Sequence, residues 1–138
     1  SWITDVPIIY YPWGLETVAI RFKNALQENA KIHAIAEDVV ETSHNGIVAW
    51  EGETSIQPIL VQGEDDNIKT KERWKIFEKY FLKNNIDYKI IKSEKGHIIT
   101  KLINLIYILD YSSIYLSILR KVDPSPVKSI KFIKKEIS

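Results

Sequence analysis

Two side chains of this sequence have the types and the spacing that proton-transfer chemistry needs. Glu28 and His44 stand sixteen positions apart within the stretch from Lys23 to Trp50. A carboxylate can take and return a proton, and an imidazole changes its charge near neutral pH. We therefore interpret Glu28 and His44 as a candidate acid–base pair.

The predicted local structure gives these two side chains different electrostatic settings. Apolar residues recur at helical spacing from 15 to 28, so Glu28 falls in the last turn of a helix. The carbonyl groups there disfavour an ionised carboxylate by about 0.3–1 kcal/mol. If Thr42 or Ser43 caps the short apolar run that follows His44, the helix start there disfavours imidazolium at His44. The alternative is structural, because helix-end glutamates and hydrogen-bonded loop histidines are both common.

Composition limits the classes of function that need consideration. With 138 residues the chain suits one domain, spanning 1–138. Its 19 basic and 18 acidic residues leave a net charge of +1, which disfavours nucleic acid and anionic membranes as partners. No cysteine and only three histidines are present, so neither a disulfide framework nor a closed zinc site is expected. No apolar leader opens the sequence, and a cytoplasmic location is expected.

Apolar runs bounded by polar turns predict four strands, and helical spacing predicts helices between and after them. The predicted strands are 6–10, 31–37, 55–62 and 87–92, and the predicted helices are 15–28, 68–83, 97–121 and 127–137. Alternating strands and helices favour an α/β fold, a three-layer αβα sandwich with a parallel sheet of four to five strands.

The helix predicted at 97–121 is the most apolar segment and is long enough to cross a membrane. Asp110 lies in its middle, with three serines close by, and an acidic residue at a bilayer centre costs about 2.5 kcal/mol or more. We therefore expect this helix in the protein core or at a subunit contact.

Four segments, in this order along the chain, carry a family resemblance. They are Pro7–Tyr10 with Gly14, Arg21–Lys31, Glu41 with His44, Asn45, Ile47, Val48 and Trp50, and Asp110–Leu116 with Val122–Val127. Over nearly the whole chain they resemble the carboxy-terminal sugar-isomerase (SIS) domain of bifunctional phosphoglucose/phosphomannose isomerases. The sequence departs from the family pattern at Gly46 and Ala49, where glutamate and glycine are usual.

The resemblance implies a role for each candidate. Glu28 would be the base that carries a proton between C2 and C1 through an enediolate, and His44 would open the sugar ring. Lys134, with Lys131 as the alternative, would contact the substrate. No metal and no cofactor is required for this chemistry.

Two further residues are candidates for substrate binding. Arg21 lies seven residues before Glu28 on the same helical stripe, although packing against the sheet is the alternative. Asn45 is next to the candidate histidine.

The family binds the sugar phosphate through a Ser/Thr-rich loop in an amino-terminal sister SIS domain, and this chain has no such loop. The chain is therefore expected to be the second half of a two-domain enzyme, or a half-sized relative. The implied activity is aldose–ketose isomerisation of glucose 6-phosphate or mannose 6-phosphate to fructose 6-phosphate. The alternative is a non-catalytic sugar-phosphate-binding or dimerisation module.

The positions of the two candidates also predict a homodimer. Glu28 precedes the second predicted strand and His44 follows it, so their side chains start at opposite ends of the sheet. We expect an active site shared between two subunits, as the resemblance also implies. The expected dimer surface is the apolar side of the long helix, formed by Ile103, Ile106, Tyr107, Ile114 and Ile118.

Overall fold

A computed structural model describes residues 2–3 and 5–137 of the chain. Its sheet has four strands, β1 (Pro7–Tyr11), β2 (Ile35–Asp38), β3 (Gln57–Gln62) and β4 (Lys89–Lys92). All neighbouring strands are parallel, and their order is β2-β1-β3-β4. The predicted parallel α/β sheet is confirmed, with four strands.

Helices cover both faces of this sheet. They are α1 (Glu16–Asn29), α2 (Val39–Thr42), α3 (Ile68–Lys83), α4 (Ile98–Leu119) and α5 (Lys128–Ile137), and a short 3-10 helix covers Gly46–Glu51. One face packs against α1 and α4, and the other packs against α3, α2 and the 3-10 helix. The predicted three-layer αβα sandwich is therefore confirmed.

Alternate strand residues point to opposite faces and build two cores. Ile9, Ile59 and Val61 face α1 and α4, which contribute buried aliphatic side chains such as Leu26 and Leu105. The opposite core is largely aromatic and consists of Ile8, Tyr10, Val39, Trp50, Leu60, Trp74, Phe77 and Phe81. Because β1 and β3 are buried on both faces, their sequences are apolar without alternation.

The aromatic core contains a buried polar contact between two distant rings. The indole Nε1 of Trp50 donates a hydrogen bond to the hydroxyl of Tyr10 over 2.9 Å. Burial raises the pKa of Tyr10 well above the ordinary value for tyrosine. The neutral phenol is therefore the form that the fold stabilises.

Replacing Tyr10 by Phe is expected to lower the free energy of unfolding by about 1–3 kcal/mol, because the buried indole loses its acceptor. Urea unfolding at pH 7 measures this loss. Above about pH 10 the unfolded wild-type chain releases the Tyr10 proton while the folded chain keeps it, so wild-type stability falls as pH rises. The difference in free energy of unfolding between wild type and Tyr10→Phe should therefore become smaller as pH rises. Tyr115→Phe, at a 63% exposed position, is the control, and an equal loss there would contradict the prediction.

Two local expectations were wrong. The second strand begins at Ile35 and not at Lys31, because Lys31 has a φ of 55° and residues 31–34 are not extended in a sheet. The apolar run after His44 forms the 3-10 helix, and its cap is Asn45 and not Thr42 or Ser43, because Thr42 ends the separate helix α2 and Ser43 follows it. Asp38 caps α2: its Oδ1 accepts from the backbone N–H of Val40 at 2.7 Å and of Glu41 at 3.1 Å. An aspartate at the end of β2 thus starts a short helix that was not expected from the sequence pattern.

Three helices end in the same way. The first residue past the cap has a left-handed conformation in each, with φ of 55° at Lys31 after α1, 55° at Asn85 after α3 and 56° at Lys121 after α4. After α4 the N–H of Val122 bonds to the carbonyl of Ser117 at 2.9 Å, as in a Schellman motif. These turns stop the helices without glycine.

α4 is long and apolar enough to cross a membrane by length and composition alone. Its buried side chains Leu105, Leu109 and Leu116 contribute to the core beside α1, which supports the interpretation as a core helix. The opposite side of α4 is exposed, and Ile106 of the expected dimer surface packs partly against the core. The exposed apolar residues along it include Ile99, Ile103, Tyr107, Ile108, Tyr111, Ile114, Tyr115, Ile118 and Leu119.

Candidate active site

Glu28 lies in the last turn of α1, at the end of the sheet where the strands begin. α1 follows β1 and precedes the parallel strand β2, so it runs back across the sheet and finishes near the amino ends of the strands. Leu26 and Phe22 bury the inner side of α1, whereas Glu28 is exposed. The carboxylate thus faces solvent from a helix whose inner side is packed in the core.

An open cleft of about 740 Å³ lies between this end of α1 and the start of α5. Glu28 is the one carboxylate among the described residues that line it. The other lining residues are Asn24, Gln27, Lys31, Pro126, Val127, Lys128, Ser129 and Ile130. The cleft therefore combines a possible proton acceptor with cationic and amide side chains.

Lys31 joins the two walls of this cleft. Its ammonium donates to the backbone carbonyl of Glu28 at 2.5 Å and to those of Pro124 at 3.2 Å and Pro126 at 2.8 Å. Lys31 was not among the residues predicted to be functional. A lysine directly after a predicted helix end is a typical partner of the last carbonyl groups, and this signal was available.

The turn between α4 and α5 is ordered by its own polar contacts. Asp123 accepts a hydrogen bond from the backbone N–H of Ser125 at 2.9 Å. The Ser125 contacts lower the pKa of Asp123, and the charge of Lys31 lowers it further. The segment that leads into α5 is thus held both internally and by Lys31.

His44 lies at the opposite end of the sheet, beyond the carboxyl end of β2. It is exposed, and its backbone N–H donates to the carbonyl of Glu41 at 3.0 Å. Asn45 donates from Nδ2 to the Glu41 carboxylate at 2.7 Å and caps the 3-10 helix through the N–H of Gly46. His44 and Asn45 are therefore held together in one turn.

Within one chain the structure does not bring Glu28 and His44 together. Glu28 lies near the start of β2, whereas His44 lies beyond its carboxyl end. Neither His44 nor Asn45 is among the described residues that line the Glu28 cleft. The catalytic role of both residues stays a prediction.

Arg21 forms a bidentate ion pair between α1 and α4, the two helices that cover one face of the sheet. Its Nε and one terminal nitrogen donate to the carboxylate of Asp110 at 3.1 and 2.7 Å, which joins α1 to α4. The hydrogen bonds to Asp110 raise the pKa of Arg21. The guanidinium pairs with α4 and is not among the described residues that line the cleft, and its proposed contact with substrate stays a prediction.

The two lysines proposed as substrate contacts lie on α5. Lys131 begins the second turn, directly after the cleft residue Ile130, and Lys134 lies about one turn further on. Both are exposed. The structure thus brings the start of α5, and with it Lys131, to the same side of the sheet as Glu28.

A metal site finds no support in the described residues. Between 2 and 137, with residue 4 left aside, no group of three or more His, Cys, Asp or Glu side chains could hold an ion. The chemistry that the cleft offers is proton transfer by a carboxylate beside cationic and amide groups.

The family of the chain follows from comparison with protein-family models. Residues 2–137 match the model described as the bacterial phospho-glucose isomerase C-terminal SIS domain. The chain belongs to this family. The family resemblance drawn from the sequence is thereby confirmed.

Curated relatives of this SIS domain are considerably longer than the chain. It is 31% identical to the bifunctional phosphoglucose/phosphomannose isomerase of Caldicellulosiruptor bescii, covering 96% of the chain and 41% of that protein. It is 27% identical to the protein of the same name from Aquifex aeolicus, covering 96% of the chain and 42% of that protein. The chain therefore spans about two fifths of the length of these relatives.

Solved structures share the fold. A glucose-6-phosphate isomerase like protein from Thermus thermophilus superposes with a TM-score of 0.71 at 14% identity, over 95% of this chain and 43% of that one. The C-terminal domain of glucosamine-fructose-6-phosphate aminotransferase from Francisella tularensis gives a TM-score of 0.66 at 16% identity, over 90% of this chain and 38% of that one. At such low identity these similarities concern the fold.

Proposed function

We propose that this chain acts as the C-terminal SIS domain of a cytoplasmic aldose–ketose isomerase for hexose 6-phosphates. The observation that carries the proposal is the cleft between α1 and α5, which Glu28 lines together with Lys128 and the start of α5. The names of the longer relatives, phosphoglucose/phosphomannose isomerases, support glucose 6-phosphate and mannose 6-phosphate as the aldoses and fructose 6-phosphate as the ketose.

Isomerisation moves one proton between adjacent carbons. Glu28 takes the proton from C2 of the open-chain aldose, the C–H electron pair forms the C1–C2 double bond, and charge develops on the former carbonyl oxygen. A proton then passes from the C2 hydroxyl to that oxygen, and Glu28 returns its proton to C1. Because the substrate is both oxidised and reduced internally, no external electron acceptor is needed. One positioned carboxylate suffices for both transfers.

The developing oxyanion needs cations or hydrogen-bond donors nearby. Lys128 and the first turn of α5 line the cleft, and the first N–H groups of a helix have no partner within the helix. Lys131 or Lys134 would contact the substrate from the same helix. Arg21 and Asn45 remain further candidates for substrate contact.

The proposal includes a homodimer in which His44 of one subunit opens the sugar ring in the site of the other. The support for a shared site is geometric, since Glu28 lies near the amino ends of the strands and His44 near their carboxyl ends. The exposed apolar side of α4 is the proposed dimer surface; Tyr107 and Tyr111 pack against each other there with ring centroids 4.8 Å apart. Aromatic side chains are enriched in protein interfaces.

The second candidate is a non-catalytic sugar-phosphate-binding or dimerisation module with the same fold. The observation in its favour is that the cleft is open and the chain has no Ser/Thr-rich phosphate loop. Turnover separates it from the isomerase proposal.

The test compares the complete protein that contains this sequence with the 138-residue chain alone. We expect the complete protein to interconvert fructose 6-phosphate with glucose 6-phosphate and mannose 6-phosphate. We expect calorimetry on the short chain to show no micromolar binding of fructose 6-phosphate, because its main phosphate loop would lie in another domain. A complete protein without turnover would support the non-catalytic module, and micromolar binding by the short chain would reveal a phosphate site within it.

A further inference from the structure

Lys31 connects two segments that are far apart in the sequence. One of its acceptors, the Glu28 carbonyl, belongs to the last turn of α1, and the other two belong to Pro124 and Pro126, up to 95 positions away. A lysine ammonium has three N–H donors. The three carbonyl groups therefore occupy all of its donors.

The backbone of Lys31 is suited to this contact. Its φ of 55° turns the chain out of α1, at a position where glycine is usual. The carbonyl groups at a helix end carry partial negative charge and attract a cation. A lysine here both stops the helix and supplies a side chain that glycine lacks.

Within the described part of the chain, α5 has no buried side chain that would stabilise it by packing. The helix has ten residues, none of them buried, and a helix of this length is marginal in water on its own. Its first turn forms one wall of the Glu28 cleft. The contacts of Lys31 with Pro124 and Pro126 hold the segment directly before α5.

We propose that Lys31 is a positioning residue that fixes the start of α5, and with it Lys131 and Lys134, relative to Glu28. The inference rests on the proposed function of the cleft. Lys31 does not act on substrate, because its donors are engaged by backbone carbonyl groups. Its effect on catalysis passes through the distance between the base and the lysines of α5.

Hydrogen exchange of the complete protein tests the structural part without any activity. Lys31→Met keeps the aliphatic stem and removes the charged donors, so the hydrogen-bonded amides from 131 to 134 should exchange about tenfold faster. Lys31→Arg should keep most of the protection. Lys121→Met is the matched control, because Lys121 has the same residue type and a φ of 56° at the end of α4. It should leave α5 unchanged.

Unchanged exchange in Lys31→Met, or an equal acceleration in Lys121→Met, would overturn the proposal. Amides of β1 report whether the core stays folded. If Lys31→Met also loses protection in β1, the milder Lys31→Gln decides, and it must accelerate exchange in α5 with β1 intact.

Kinetics test the functional part. We expect Lys31→Met to lower kcat/KM for fructose 6-phosphate about tenfold, Lys31→Arg to recover to within about threefold of wild type, and the shape of the pH profile to stay the same. A shifted pH profile of kcat/KM without faster amide hydrogen exchange in α5 would mean that Lys31 acts on the charge of Glu28. That result would contradict a positioning role. If Glu28→Gln keeps full activity, the proposed function fails, while the exchange result still decides whether Lys31 holds α5.

Discussion

Glu28→Gln in the complete protein is expected to lower kcat for fructose 6-phosphate at least about a hundredfold. A positioned general base contributes roughly two to four orders of magnitude, and an amide cannot accept the proton from carbon. The substitution keeps the size of the side chain at an exposed position, so the fold should be unaffected. KM should change little, because Glu28 acts on the reacting carbon and not on the phosphate.

Steady-state kinetics with a circular-dichroism check measure this effect. Glu72→Gln is the control, since Glu72 is an exposed glutamate on α3, outside the described lining of the cleft. It should change kcat less than about twofold. A second readout is exchange of the C2 proton of glucose 6-phosphate with deuterated solvent, which should stop in Glu28→Gln. Full turnover in a folded Glu28→Gln protein would exclude Glu28 as the base.

The architecture was predictable because its signals are local. Each strand is a short apolar run between polar turns, and the spacing of Trp74, Phe77 and Phe81 defines α3 at 68–83 as predicted. Four strands alternating with helices leave few arrangements other than a parallel sheet with two covered faces. The end of α1 near Glu28 was also predictable, because its apolar stripe stops at Leu26.

Local competition between similar signals caused the wrong expectations. Residues 31–34 are mostly apolar or β-compatible, yet the left-handed Lys31 delays β2 until Ile35. Thr42 and Asn45 are both good capping residues before the run 46–51, and Asn45 caps it while the buried Thr42 hydroxyl donates to the Glu37 carboxylate at 3.0 Å. Sequence pattern alone does not rank two such neighbours.

The role of Lys31 was not predictable from spacing. Its partners Pro124 and Pro126 lie 93 and 95 positions away, and they offer carbonyl groups that every residue has. The Arg21 contact with Asp110, over 89 positions, was missed because distance along the chain hides it as well. Such long-range contacts depend on the folded arrangement and leave no local residue pattern.

Mixing two inactive variants of the complete protein is expected to restore about a quarter of wild-type activity. One variant is Glu28→Gln and the other is His44→Ala, each expected to be inactive or nearly so alone. If each site takes Glu28 from one subunit and His44 from its partner, a mixed dimer has one intact site and one site lacking both groups. Random exchange makes about half of the dimers mixed, and each of these has half of its sites intact.

The control is a mixture of Glu28→Gln with the double variant Glu28→Gln/His44→Ala, in which no intact site can form. Native mass spectrometry verifies that subunits have exchanged before activity is measured. Recovery in the first mixture and none in the second would place Glu28 and His44 of one site on different subunits. No recovery after verified exchange, or a monomer by sedimentation, would exclude the shared site. That outcome would leave the separate roles of Glu28 and His44 to be decided by the kinetics of each single variant.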